Sequence, residues 1–228
     1  MEYNSQVLKY LGYIDKDIIS GNGTLICKDG SQYKGEFKNG DESGFGEKIF
    51  LEESPLLNYS GDWQQGKMWG KGKVFWKNGA KYVGDFKRGL KHGFGLYTHE
   101  KSSKFEYFEG TSYKDMMWGN GTFVWKNQNK YVGEFQKDTI WGYGILTDNG
   151  DVITGFWEGT FIYGNGSVIY KNGVKLFGFF ANGLLNGYAV AYYKPTAEMW
   201  KFEGIYKDGL QCGNGTAWFN NGSRQEKK

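Results

Sequence analysis

Hydrophobic and polar residues alternate along most of this chain, and glycine interrupts the alternation at regular places. Residues 82–86, with the sequence Tyr-Val-Gly-Asp-Phe, place two rings and a glycine on one side of an extended strand, and Val83 and Asp85 on the other. Residues 87–89 then favour a turn, and the Gly-x-Gly segment at residues 93–97 favours a returning strand. This pattern predicts a β-hairpin.

The same repeat occurs nine times. Each repeat starts with an aromatic or aliphatic residue, and a glycine follows two positions later. The starts are separated by 22, 23 or 26 residues and lie at Tyr10, Tyr33, Tyr59, Tyr82, Phe108, Tyr131, Ile153, Leu176 and Phe202. A second glycine pair stands near the middle of most repeats, and Asn-Gly or Asp-Gly closes most of them. Glycine inside a strand marks the close approach of a bulky group, which we expect to be the rings of neighbouring repeats.

A single hairpin is marginally stable, so the repeats must stack to bury their rings. We therefore expect an all-β fold, in which nine stacked β-hairpins form an elongated, twisted, single-layer antiparallel sheet. Residues 10–222 form one repeat domain, with an N-terminal tail at residues 1–9 and a C-terminal tail at residues 223–228. Because the repeats fill nearly the whole sequence, we expect no separate catalytic domain and no enzymatic activity.

Composition narrows the possible classes of protein. The chain has 37 glycines and 2 prolines in 228 residues, and 19% of its residues are aromatic, which excludes collagen and a disordered chain. The formal net charge of +3 lacks the basic excess of a dedicated nucleic-acid binder. The start of the sequence resembles no signal peptide, and no run of 18 apolar residues occurs, so we expect a cytoplasmic protein without a membrane span.

The repeat resembles a known family. Residues 59–72 (Tyr-Ser-Gly-Asp-Trp-Gln-Gln-Gly-Lys-Met-Trp-Gly-Lys-Gly) are similar to the MORN repeat (membrane occupation and recognition nexus), as are residues 33–40 and 82–95. The resemblance implies a curved antiparallel sheet that binds partners. Family members occur in proteins that tie two membranes together, in plant lipid kinases, in myosin-tail adaptors, and in radial-spoke heads and other ciliary assemblies. In the enzymes among them, a separate domain carries the chemistry.

Some repeats depart from this pattern, and we expect these to pack less regularly. The departures are Ile14 and Asp17 in the first repeat, Ser112 and Asp115 in the fifth, and Ile153 and Thr160 in the seventh.

The two faces of the sheet suggest different roles. We assign the rings beside the glycines to packing, namely Tyr33, Phe37, Tyr59, Trp63, Tyr82, Phe86, Tyr131 and Phe135. On the opposite face, an aromatic stripe with carboxylates suits an apolar and basic helix or strand of a partner protein. The candidate partner-binding residues are Trp69, Trp118, Trp141, Tyr163, Asp62, Asp85, Glu134, Phe156 and Phe179. The alternative is that these rings only cover their own sheet.

Lysines recur at the turns between repeats. Lys28, Lys77, Lys126 and Lys171 each lie eighteen residues after a repeat start, which predicts a basic edge. This edge could meet acidic lipid headgroups or acidic protein tails. The alternative is a solvated edge that prevents sheets from aggregating.

No candidate catalytic or metal site emerges from the sequence, and no cofactor is expected. Cys27 and Cys212 match no metal-ligand spacing, and His92 and His99 belong to no recognisable triad. The first hypothesis is therefore a non-enzymatic scaffold that binds a protein segment within a cytoskeletal or ciliary (axonemal) assembly. The alternatives are a peripheral membrane tether that binds acidic phospholipids through the lysine edge, and end-to-end self-association through the open ends of the sheet.

Overall fold

The computed structural model describes residues 7–194 and 196–227, and every regular element in these ranges is a β-strand. The strands are β1 (Val7–Asp15), β2 (Ile18–Cys27), β3 (Gln32–Lys38), β4 (Asp41–Ile49), β5 (Leu56–Gln64), β6 (Lys67–Trp76), β7 (Lys81–Lys87), β8 (Leu90–Thr98), β9 (Phe105–Tyr113), β10 (Met116–Trp125), β11 (Lys130–Gln136), β12 (Thr139–Asp148), β13 (Asp151–Glu158), β14 (Phe161–Ile169), β15 (Lys175–Ala181), β16 (Leu184–Tyr192), β17 (Met199–Lys207), β18 (Leu210–Phe219) and β19 (Arg224–Lys227).

These strands form one antiparallel sheet in which each strand pairs with its neighbours in sequence. Strands β1 to β18 make the nine hairpins, which confirms the predicted all-β class and the hairpin repeat. By contact density the chain divides into two compact units. Unit 1 ends at Met117 and unit 2 begins at Trp118.

Two-residue turns join the strands within each hairpin. Asn39 and Gly40 have φ values of 54° and 87°, the type I′ geometry whose twist matches that of the strands. Asp17 and Asp115 replace the glycine with φ values of 66° and 69°, because aspartate tolerates the left-handed region. In the two-residue turn of the seventh repeat, Gly159 has a positive φ of 66° and Thr160 does not. The turn is therefore of type II′, which needs a positive φ only at its first central residue. The β-branched Thr160 stands second and does not have to adopt a positive φ.

A different turn follows the second strand of several hairpins. At residues 76–80, the Gly79 N–H donates to the Trp76 carbonyl at 3.0 Å, and Gly79 has a φ of 90°. The Asn78 side chain accepts the Ala80 N–H at 3.0 Å. The Asx residue supplies the side-chain acceptor, and the next position takes a positive φ, which favours glycine. In the turn at residues 125–129, Gln128 takes this position with a φ of 69°. Lys77 occupies the position before the Asx residue.

Both predicted tails contain strand residues. The pattern predicts a tail at residues 1–9, but β1 begins at Val7. It also predicts a tail at residues 223–228, but Arg224–Lys227 pairs with the end of β18. The cause is the inter-repeat turn, which forms again at Asn221 and sends the chain back along β18.

Glycine faces glycine across neighbouring strands. The row in unit 1 is Gly12, Gly23, Gly35, Gly46, Gly61, Gly72, Gly84, Gly95 and Gly110. In unit 2 the corresponding positions are Gly121, Gly133, Gly144, Gly155, Gly166, Gly178, Ala189, Gly204 and Gly215.

A tyrosine ring covers the glycines of its own repeat. A Cβ at Gly46 would overlap the ring of Tyr33, and the Tyr33 hydroxyl donates to the Glu36 carbonyl at 3.0 Å. The covering ring was predicted to come from a neighbouring repeat, which is wrong. The tyrosine side chain leans along its own strand, and the ring four residues after the repeat start links the repeats instead. Trp63, for example, packs edge-on against Tyr33 at 5.3 Å and against Tyr59 at 5.0 Å.

The packing role of the glycine-bearing face is confirmed, because all eight rings assigned to it are buried. We call this the ring face and the opposite one the open face. The seventh repeat is looser, as predicted. It has Ile153 in place of the tyrosine, and the nearest atoms to a Cβ at Gly155 would be 3.6 Å away. In the first repeat, Ile14 is 48% exposed.

Candidate partner-binding surface

The acidic residues of the open face accept hydrogen bonds from backbone N–H groups of the sheet. In β6, the backbone bulges at Gly70, which has a φ of 56°. The bulge turns the Lys71 N–H toward the Asp62 carboxylate, which accepts it at 2.9 Å. A Cβ at Gly70 would approach the same carboxylate to 2.5 Å, so the glycine also makes room for it.

The same arrangement recurs in other repeats. The Asp85 carboxylate accepts the Phe94 N–H at 3.0 Å and also pairs with the Lys71 ammonium at 2.6 Å. The Glu134 carboxylate accepts the Tyr143 N–H at 3.2 Å. Asp62, Asp85 and Glu134 therefore stabilise the bulges of their own sheet. Their contact with a partner stays a prediction.

Four aromatic residues lie next to one another on the open face of unit 2. The Trp141 ring lies 6.2 Å from the Phe156 ring, and the Tyr163 ring lies 5.6 Å from the Phe179 ring. Phe156 and Tyr163 are direct cross-strand partners, so the two pairs are adjacent. Each of the four side chains is between 38% and 50% exposed. We call Trp141, Phe156, Tyr163 and Phe179 the aromatic ladder.

The other two predicted tryptophans lie elsewhere. Trp69 is half-buried on the open face of unit 1. Trp118 is 37% exposed, on the strand β10 at the start of unit 2. Unit 1 carries a depression of about 590 Å³ on its open face, which is more polar than the aromatic ladder of unit 2. Its lining includes Lys34, Glu36, Phe45 and Glu47.

Sequence reasoning missed a series of exposed rings on the open face, namely Phe45, Phe94, Tyr143 and Tyr188. Tyr143 is 57% exposed and lies opposite Phe156. Tyr188 is 56% exposed, and its hydroxyl donates to Glu203, which raises the pKa of Tyr188. Each of these residues directly follows the first glycine of the second glycine pair of its repeat, and in the eighth repeat Ala189 replaces the second glycine. That position always follows the bulge, so it could have been identified as a series of open-face side chains.

The predicted lysine edge corresponds to the inter-repeat turns. Lys28 and Lys77 lie in turns of unit 1, and Lys126 and Lys171 in turns of unit 2, and all four are exposed. The Lys77 ammonium donates to the carbonyls of Leu51 (2.9 Å) and Glu52, so it holds the longer connection before β5.

Acidic residues accompany these lysines. Asp29 directly follows Lys28. The carboxylate of Asp151 accepts the Lys171 N–H at 2.8 Å. The edge therefore carries mixed charge, and its binding to lipid or to an acidic protein stays a prediction.

Within the described ranges, no group of three or more His, Cys, Asp or Glu side chains is placed to hold a metal ion. Cys27 and Cys212 are both half-buried free thiols. His92 packs against Tyr113 and His99 against Tyr97. No helix in the described part of the chain has the length and apolarity needed to cross a membrane.

Comparison with known proteins gives one family match. The sequence model of the MORN repeat matches residues 10–32, 33–50, 59–81, 82–103, 108–130, 131–152 and 202–224. The two hairpins between residues 153 and 201 lie outside these matches, although they share the fold. They are the repeats in which Ile153 and Leu176 replace the aromatic start residue.

Other comparisons are less informative. No curated protein matches the sequence. Among solved structures, the chain is similar to the SAS-4 (dCPAP) TCP domain of Drosophila melanogaster, in complex with a proline-rich motif of Ana2 (dSTIL). The identity is 12%, the alignment covers 70% of this chain and 84% of that chain, and the TM-score is 0.41. Similarity at this level carries no functional argument.

Proposed function

Because the chain belongs to the MORN-repeat family, we propose that it is a non-enzymatic scaffold that holds a segment of a partner protein on the aromatic ladder of unit 2. Repeats of this family are generally non-catalytic and mediate protein interactions. The proposed partner segment is a helix or an extended strand with apolar side chains and flanking basic residues.

The contiguity of Trp141, Phe156, Tyr163 and Phe179 is the observation that carries this proposal. Exposed aromatic rings that touch one another form an apolar patch, and such patches mark interaction sites. Rings are also the side chains that contribute most to binding when a partner covers them. They lie on strands of a hydrogen-bonded sheet, so the surface is preformed and little ordering free energy is lost on binding.

Charge next to the ladder supports a basic flank on the partner. Glu158 is the cross-strand partner of Trp141 and is exposed. Glu134 is exposed on the same face. Basic residues beside the apolar anchors would meet these carboxylates and fix the orientation of the bound segment.

We place this scaffold in a cytoskeletal or ciliary assembly, in the cytoplasm. The support is the family resemblance, since members without a catalytic domain include myosin-tail adaptors and components of radial-spoke heads. The lipid-tether alternative has weaker support, because the lysine edge carries acidic residues and the Lys77 ammonium is engaged by backbone carbonyls.

The test is affinity purification of the full chain from its native source at physiological salt, followed by cross-linking mass spectrometry. We expect a dominant partner cross-linked to exposed lysines of unit 2, such as Lys137 and Lys175. The Trp141→Ala, Tyr163→Ala double variant should lose this partner.

A matched control is the Phe45→Ala, Phe94→Ala double variant, which removes rings that are 56% and 54% exposed on the open face of unit 1. It should keep the partner. Equal loss in both variants, or retention in the unit 2 variant, would contradict the proposed site. Recovery with membranes and without a protein partner would favour the lipid tether.

A further inference from the structure

We propose that β1 is a self-association edge, at which it pairs antiparallel with β1 of a second copy of this chain, so that Gly12 lies opposite the partner's Gly12. The two copies would be related by a two-fold axis through this glycine pair. This surface is separate from the aromatic ladder and does not depend on the proposed function.

The two outer strands of the sheet, β1 and β19, differ in length and in charge. Among the described residues, β1 pairs only with β2, and β19 pairs only with β18. Strand β19 has four residues, Arg-Gln-Glu-Lys, and a short charged edge of this kind resists pairing with other chains. Strand β1 has nine residues, of which only Lys9 and Asp15 are charged.

Most apolar side chains of β1 are exposed. Leu11 is 54% exposed, Tyr13 is 63% exposed and Ile14 is 48% exposed. A long edge strand with exposed apolar side chains is a template for strand addition. Soluble proteins generally block such an edge, so its presence here indicates that another strand covers it.

The row of facing glycines favours a second copy of β1 as the covering strand. Within the sheet, Gly12 already faces Gly23, and the pattern of glycine opposite glycine continues from strand to strand. Pairing β1 with itself at Gly12 extends this row across the two-fold axis. Leu11 then faces the partner's Tyr13 on one face of the sheet, and Ile14 faces the partner's Tyr10 on the other.

The charges of β1 are complementary in the same register. Lys9 lies three residues before Gly12 and Asp15 lies three residues after it. Antiparallel pairing centred on Gly12 therefore places Lys9 opposite the partner's Asp15, and the two-fold axis repeats the pair. Cross-strand pairs of opposite charge stabilise a sheet, whereas like charges directly opposite destabilise it. A shift of one residue would move every side chain to the other face.

Sedimentation velocity of the full chain over a range of concentrations tests this proposal. We expect the mass to rise with concentration from the monomer value of 26.0 kDa toward twice that value. Lys9→Glu alone and Asp15→Lys alone should each weaken the dimer about tenfold, because each puts two like-charge pairs into the interface. The Lys9→Glu, Asp15→Lys double variant restores both pairs and should recover the dimer.

A control at the other edge is Lys227→Glu on β19, which should leave the dimer unchanged. All these side chains are exposed in the monomer, so the variants should fold alike, which circular dichroism can check. A wild-type chain that stays monomeric at the highest concentration would overturn the proposal. So would a double variant no better than the single ones, or an equal effect of Lys227→Glu.

Discussion

The phenol ring of Tyr59 occupies the space that a side chain at Gly72 would need. The ring cannot move aside, because it is buried edge-on between Trp63 at 5.0 Å and Phe86 at 5.2 Å. Its hydroxyl is also fixed, by donation to the Asp62 carbonyl at 2.9 Å.

We therefore expect Gly72→Ala to lower the free energy of unfolding by about 3 kcal/mol, since an added methyl group in a packed site displaces its neighbours. Urea denaturation of the full chain measures this. Gly155 is the matched control, since it lies in the same row without a tyrosine over it. Gly155→Ala should change stability by less than about 1 kcal/mol, and equal losses at both positions would contradict the account of the row.

Trp157 and Trp141 lie on neighbouring strands of unit 2, and their substitution distinguishes a role in stability from a role in binding. Trp157 is 3% exposed and its indole N–H donates to the Gly144 carbonyl at 3.0 Å, whereas Trp141 is 38% exposed. We expect Trp157→Ala to cost about 4 kcal/mol, the usual loss for a buried large ring, and Trp141→Ala only about 1 kcal/mol. Thermal unfolding measures both. If Trp141→Ala unfolds the protein, the ladder belongs to the core.

Asp62 should contribute to stability without any partner. Asp62→Ala leaves the Lys71 N–H without its acceptor and should cost about 1.5 kcal/mol. Asp62→Asn keeps an acceptor oxygen and should lose less than half of that. Chemical denaturation of the isolated chain distinguishes the two variants. If Asp62→Ala left the free energy of unfolding unchanged, the carboxylate would instead interact with solvent or with a partner.

The buried tyrosines should make the fold sensitive to alkali. Burial raises the pKa of Tyr82 and of Tyr131 to about 12. The unfolded chain releases these protons near pH 10. Their contribution to stability is therefore complete below pH 10 and is lost as the pH rises from 10 to 12. Urea unfolding at a series of pH values measures the loss, and Tyr82→Phe should reduce it. Phenolate absorbance that rises fully near pH 10 in the folded chain would be inconsistent with this prediction.

Lys77 should control the mobility of the connection before β5. Its ammonium donates to the carbonyls of Leu51 and Glu52, so Lys77→Met should increase hydrogen exchange over residues 51–57 by about fivefold, the effect of losing about 1 kcal/mol. Global stability should stay unchanged. Lys28→Met is the control at the same turn position, where no such connection is present, and it should have no local effect.

The ring face could be predicted from sequence, because the spacing within a repeat places the tyrosine ring and the glycines that it covers on the same face. Tyr59 and Gly61 lie on the same face of one strand, and Gly72 lies opposite Gly61. The role of Asp62 could not be predicted in this way. It depends on a bulge that turns one N–H toward the open face, and side-chain periodicity does not reveal backbone direction.

The same limit explains the missed residues. Tyr143 follows a bulge glycine, and the simple two-residue period does not single it out. Strand β19 was missed because it pairs through its backbone and carries no apolar alternation. All four residues of the aromatic ladder were among the sequence candidates, because Trp141 and Tyr163 recur at one position of their repeats and Phe156 and Phe179 at another. Their contact with a partner stays a prediction.

The pairing of every strand with its sequence neighbours has a kinetic consequence. Each hairpin closes a short loop, so the entropy lost in forming each contact is small and the mean sequence separation of contacts is low. A sheet built this way can grow by one hairpin at a time on a completed edge, as in other repeat proteins. The chain can therefore fold from its first repeats onward during synthesis, with each new hairpin using the preceding strand as its template.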